Sequence, residues 1–143
     1  MRLLIIDGQG GGIGSRLVSA LAPCLPADCV VVCVGTNVIA TNAMLKAGGR
    51  MGATGENAVR YNAARADLIL GPIGIILANA MLGEITPAMA SAVSGSDAVK
   101  ILIPSAKCSV YLAGAQPCTL EESLKSAVSL ALREIGRLRG AKP

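Results

Sequence analysis

The sequence predicts an α/β domain of Rossmann-like architecture, a three-layer α/β/α sandwich around a mostly parallel sheet of about five strands. Short runs of Val, Ile and Leu alternate with helical stretches, beginning with RLLII at residues 2–6. Hydrophobic residues make up 52% of the chain and charged residues 15%, with no Phe or Trp, so the core is aliphatic, as in parallel sheets covered on both faces. Five glycines within Gly8–Gly14 stand between the first strand and the first helix, where such folds hold phosphates. The 143 residues are read as one domain, 1–143, long enough to bury a core without staples.

Residues 2–6 read as a buried strand, and the helix after the glycines runs from about Gly14 to Ala22, where Pro23 and Pro26 end it. The second strand, 29–34, lies in the run CVVVCV. A polar break at Gly35, Thr36 and Asn37 follows, then a helical stretch ending near Gly48. Gly52–Gly55 reads as a turn and Glu56–Arg65 as a short helix before the third strand, Leu68–Leu70. Thr86 and Pro87 open a helix reaching about Val93, because proline suits a first helical turn. Lys100–Ile103 is the fourth strand and Ser109–Ala113 a fifth, weaker one. Thr119 and Glu122 form a capping box for the last helix, whose stripe is Leu120, Leu124, Val128, Ala131, Leu132, Ile135 and Leu138. Right-handed crossovers then bring DGQGGGIG, GTN and GPIG, which follow the first three strands, to one carboxyl edge.

Composition narrows the function classes. The net charge of +4 is concentrated in Arg133, Arg137, Arg139 and Lys142, where a basic final turn complements the helix dipole. With so few aromatic residues for base stacking, nucleic acid is not an expected partner. Cysteines 24, 29, 33, 108 and 118 form no CxxC pair and the chain has no His, so no metal is expected. Cys29 and Cys33, evenly spaced, are expected to share one strand face. Residues 68–83 are uncharged but shorter than the roughly 20 residues a membrane span needs, and Gly71, Pro72 and Gly74 interrupt them. The amino-terminal segment lacks the features of a secretory signal, which points to the cytoplasm.

The candidate binding residues are Asp7, Gly8, Gln9, Gly10, Gly11, Gly12, Ile13 and Gly14 after the first strand. Gly35, Thr36 and Asn37 join them after the second, and Gly71, Pro72 and Gly74 after the third. A diphosphate can approach a backbone without Cβ atoms, and the following helix offers free N–H groups and a positive dipole end. Gly8, Gly12 and Gly14 reproduce the spacing GxxxGxG, and the turn resembles the NADP-binding loop of the short-chain dehydrogenases; the resemblance implies NADP or another nucleotide as cofactor. Elsewhere the chain departs from that pattern. No carboxylate follows the second strand to grip ribose hydroxyls, and no Arg adjoins it to hold a 2'-phosphate. Tyr61 is followed by Arg65 where the family's chemistry needs a Tyr and Lys pair. NAD is therefore disfavoured, the residues after the second strand do not support NADP, and a mononucleotide or another phosphorylated metabolite stays open.

Thr36 and Asn37 read equally well as helix caps, and Asp7 as the group that closes the turn. Asn57, Asn62, Asn79, Glu84 and Thr86 are the other polar residues expected near the crevice. Glu84 is either a cap for the helix opening at Thr86 or a buried carboxylate with a raised pKa.

The words DGQGGGIG, GTNVIAT with AMLKAG, GATGENA, GPIGIILANAMLGEITPAMA and KILIP resemble those of an uncharacterised bacterial family known as a domain of unknown function. That resemblance covers residues 2–104 and implies a small Rossmann-like protein, with no reaction attached. The leading functional reading is a protein that binds a nucleotide or phosphorylated metabolite, as a sensor or an accessory subunit. The alternative is a small NAD(P)-dependent oxidoreductase, or another enzyme with a site shared across a homodimer. The aliphatic excess makes residues 72–95 the expected interface, and no catalytic residue is singled out.

Overall fold

In the computed structural model, which describes residues 1–141, the run RLLIID is the central strand β1 (Arg2–Asp7). Leu3, Leu4, Ile5 and Ile6 are wholly buried, because β1 has a strand on each side and helices over both faces. Alternation along the strand sends Leu3 and Ile5 into one apolar cluster and Leu4 and Ile6 into the other. The chain continues through α1 (Gly12–Leu21), β2 (Val30–Gly35), α2 (Val38–Lys46), β3 (Met51–Thr54) and α3 (Glu56–Ala63). It ends with β4 (Leu68–Pro72), α4 (Pro87–Ser94), β5 (Val99–Ile103) and α5 (Leu120–Gly140).

All five strands are parallel, in the order β3-β2-β1-β4-β5. The chain builds outward from β1 through β2 to β3, then returns to lay β4 and β5 on the other side. The order therefore reverses between β1 and β4, the position at which open parallel sheets leave a crevice beyond their carboxyl ends. Leu17 and Leu21 of α1, Met44 of α2 and Leu124, Ala131 and Ile135 of α5 cover one face. Val59 and Ala63 of α3 and Met89, Ala90 and Val93 of α4 cover the other.

The expected fold is observed, with two strand assignments corrected. Gly52–Gly55 is not a turn as a whole: Met51–Thr54 is the edge strand β3, in register with Val32–Gly35, and only Gly55 takes a turn conformation, at φ 100°. Ser109–Ala113 is not a strand; Ser109 turns the chain at φ 52° and the segment is exposed. The last helix has the expected capping box, with the Glu122 N–H donating to Thr119 Oγ1 at 3.2 Å and the Thr119 N–H donating to Glu122 Oε2 at 2.6 Å. Cys33 is buried and the half-buried Cys29 packs against the same cluster, so the two do share a face.

Residues 72–95 do not form the apolar surface expected of them. Ile73, Ile75, Ile85, Met89, Ala90 and Val93 face the domain's own core, because a 3-10 turn over Ile73–Ile76 and helix α4 fold back onto the sheet. Leu82 alone is fully presented, at 98% exposure. At the basic end of α5, Arg137 pairs with Glu134 at 2.7 Å and Arg139 with Asp28 at 2.8 Å, while Lys142 lies outside the described residues. Among the described residues no helix is long and apolar enough to cross a membrane, and no group of His, Cys, Asp or Glu is placed to hold a metal.

Candidate functional site

The glycine turn is held from behind by Asp7, the last residue of β1 and only 4% exposed. The Gly8 N–H donates to Asp7 Oδ1 at 2.8 Å and the Gly14 N–H to Oδ2 at 2.7 Å, so one carboxylate ties both ends of the loop. Burial pushes the Asp7 carboxyl above its ordinary value. The amides of Gly14, Gly8 and Ile13 pull it back only in part, and the neighbouring Glu84 charge adds to the rise. Of the amides expected to be free at the start of α1, that of Gly14 is engaged by the Asp7 carboxyl group, in keeping with the reading of Asp7 as the residue that closes the turn.

A second carboxylate reaches the turn from far along the chain. Glu84 accepts from Thr36 Oγ1 at 2.7 Å, from Asn37 Nδ2 at 2.6 Å and from the Gln9 N–H at 3.0 Å. It does not cap α4; Thr86 does that, accepting from the Met89 N–H and donating to Glu56. Nor is its pKa raised. Partial burial alone would raise it, but the hydrogen bonds from Thr36, Asn37 and Gln9 prevail and hold it below the usual carboxylate range. A carboxyl depressed in the folded state contributes its full stability above the ordinary value of 4.5 and loses it as pH falls through the folded value. Thermal scans are expected to show a gap between wild type and Glu84→Gln that is constant above about pH 5.5 and narrows below about pH 4.5. A gap unchanged down to about pH 3 would mean the carboxylate is not held this way.

With these contacts made, the Gly10 and Gly12 amides have no protein acceptor among the described residues, and a Cβ built on either glycine meets nothing within 4 Å. Both face a crevice of about 860 Å³ that runs from the glycine turn past Pro72, at the end of β4, to Pro104, Ser105 and Lys107 after β5. It lies at the carboxyl edge, across the reversal of strand order. Lys107 brings a cation to the lining of the same crevice and forms no ion pair among the described residues. A smaller cavity of about 350 Å³, lined by Leu21, Pro26, Cys29 and Arg50, opens at the amino edge, away from the loops that follow the strands.

Of the expected binding residues, Asp7, Gly8, Gln9, Gly10, Gly11, Gly12, Ile13 and Pro72 line the larger crevice. Gly14 packs against Met44 and Asp7. Gly35 packs against Thr41 and Asn37, Gly71 against Ile6 and Ile75, and Gly74 against Cys108, Ala80 and Met81. Thr36 and Asn37 bind Glu84, and Asn37 also caps α2 by accepting from the Ala40 N–H at 2.9 Å. Asn62 is buried at the opposite edge, with its Oδ1 accepting from Arg2 and its Nδ2 donating to Ala58 O. Arg65 stacks over the Tyr61 ring at 3.7 Å on α3, outside the crevice. Sequence reading missed Ser105, Lys107 and Leu82; their one signal is position, beyond the carboxyl ends of β4 and β5.

The fold is similar to that in the crystal structure of a dodecameric FMN-dependent UbiX-like decarboxylase from Escherichia coli O157:H7. The two share 15% sequence identity over 95% of each chain, with a TM-score of 0.54, a likeness of fold. Comparison with curated proteins finds no match. The model of one family, described as Domain of unknown function (DUF3842), matches residues 2–136, and the chain belongs to that family.

Proposed function

We propose that this protein binds a phosphate-bearing ligand of mononucleotide size, a nucleotide or a phosphorylated metabolite, in the crevice between β1 and β4. The observation that carries this reading is the pair of unengaged amides at Gly10 and Gly12, set beside α-carbons that face open space. A phosphate there receives two backbone hydrogen bonds near the start of α1, and Lys107 adds a positive charge to the same crevice. The FMN dependence of the decarboxylase with the similar fold makes a flavin mononucleotide the first ligand to try. Asp7 and Glu84 both hold amides of the turn, which favours a binding role, as a sensor or accessory subunit, over proton transfer.

Thermal scans against FMN, adenine mononucleotides and sugar phosphates test this, since a ligand at a hundred times its Kd stabilises the native state by about 2.7 kcal/mol. Gly12→Val is expected to fold as wild type does and to lose the shift, because its side chain projects into the space the phosphate needs. A shift that survives in this variant places the ligand elsewhere.

A site shared between copies remains the second reading, favoured by Leu82 on the crevice wall at 98% exposure and Tyr111, after β5, at 97%. A homo-oligomer would cover them. A monomer in light scattering at micromolar concentration would remove this reading.

A further inference from the structure

We infer that Glu84 is a tethered anion filling a second oxyanion subsite of the glycine turn, on its β2 side, and thereby limits the ligand to one that ends in the β1/β4 crevice. This deepens the reading above and rests on it.

Three donors from two separate loops, the Gln9 N–H, Thr36 Oγ1 and Asn37 Nδ2, converge on one carboxylate. Two of the donor residues are held in place by contacts other than those to Glu84. Asn37 is locked as the cap of α2 by the Ala40 N–H and donates to Gln9 O at 3.0 Å, and the Thr36 N–H is paired to Asp7 O at 3.0 Å. Such a cluster of fixed donors is what an oxyanion requires, and here the oxyanion is the protein's own. It stands at the end of β2 beside the glycine turn, where a dinucleotide places the ribose and any 2'-phosphate of its adenosine half.

The segment that carries Glu84 is built to hold it there. Asn79, Met81 and Leu82 have φ of 65°, 57° and 57°, in the left-handed region that residues with side chains seldom enter. The segment packs down on the turn, with Met81 Sδ only 2.6 Å from where a Gly8 Cβ would lie. Met81 and Leu82 line the crevice, whereas Glu84 points away from it into the β2 side, so an occupant of the crevice need not displace it. A dinucleotide crossing the turn meets both the segment and a negative charge.

The test compares wild type, Glu84→Ala and Glu84→Gln by thermal shift and calorimetry, with inorganic phosphate, formate and adenosine 2',5'-bisphosphate as probes. Glu84→Ala is expected to be stabilised by formate, which replaces the missing carboxylate, while wild type is not, and to gain more from phosphate than wild type, in which only the crevice is open to it. It should bind the bisphosphate at least tenfold more tightly than wild type. Glu84→Gln keeps the shape and loses only the charge, so it shows the smaller gain, and it carries the test if Glu84→Ala does not fold. The inference is overturned if wild type binds the bisphosphate as tightly as both variants do, or if neither variant responds to any probe more than wild type does. Repeating the scans in a Gly12→Val background separates the two sites. A gain that persists there supports the second subsite even if no crevice ligand is found, and a wild-type crevice ligand with no gain in either variant removes this inference alone.

Discussion

Asp7→Ala is expected to lower stability at neutral pH by about 3 kcal/mol, a fall in Tm of roughly 10 °C. The variant removes the acceptor for the Gly8 and Gly14 amides, both on buried residues. Leaving a buried donor unpaired costs about 1–3 kcal/mol each, and relief from burying the carboxylate returns part of that. The pH dependence of this penalty runs opposite to that of Glu84. Because burial raises the Asp7 carboxyl in the folded state, its contribution is complete below the ordinary value of 3.8 and declines as pH rises through the folded value. Urea denaturation should therefore show a larger gap between wild type and Asp7→Ala at about pH 4 than at about pH 7. A gap that widens with pH would mean that the amides outweigh burial and that Asp7 is a depressed carboxylate.

Helices and central strands were readable from the sequence because burial writes a period into them. The stripe of α5 needs no tertiary information, nor does the run of β-branched residues in β2. Strand β3 left no such trace: Met51, Gly52 and Thr54 are exposed, and the strand is held by backbone pairing to β2 and by the Thr41 hydroxyl at Ala53 O and Thr54 Oγ1 rather than by a buried apolar face. The converse error at Ser109–Ala113 has the same origin. Val110, Tyr111 and Leu112 have the composition of a strand, yet they are exposed and lie beyond β5, where the Ser109 turn directs the chain away from the sheet.

At the site, the local motif located the turn, and the residues that complete it came from a distance. The search for a carboxylate near the end of β2 failed because the one that occupies that position, Glu84, lies 47 residues beyond its partner Asn37. Lys107 was missed for a similar reason. Nothing in its neighbourhood marks it, and only the parallel topology carries the end of β5 to the same edge as the glycines.

Gly11→Val is expected to cost about 4 kcal/mol, while Gly12→Val, one residue later, changes stability by no more than about 0.5 kcal/mol. Gly11 precedes α1 at φ 71° and ψ 20°, a left-handed conformation that is a true outlier for a β-branched side chain. Its Cβ would also lie 2.8 Å from Ala40 Cα and 2.9 Å from Ala40 O, atoms of the α2 backbone that cannot swing aside as a side chain can. Strain of about 1–2 kcal/mol and overpacking of about 1–3 kcal/mol act together, and relief requires α2 to move away from α1. Gly12 has neither constraint: it is the first residue of α1, it is exposed, and a Cβ on it meets nothing within 4 Å. Denaturation midpoints of the two variants check this directly, and equal midpoints would show that the close approach of α1 and α2 is not what requires a glycine. The contrast bears on function as well as on packing. In the proposed binding role, Gly12 combines that freedom with a place on the crevice wall, so its lack of a side chain would serve the ligand rather than the fold.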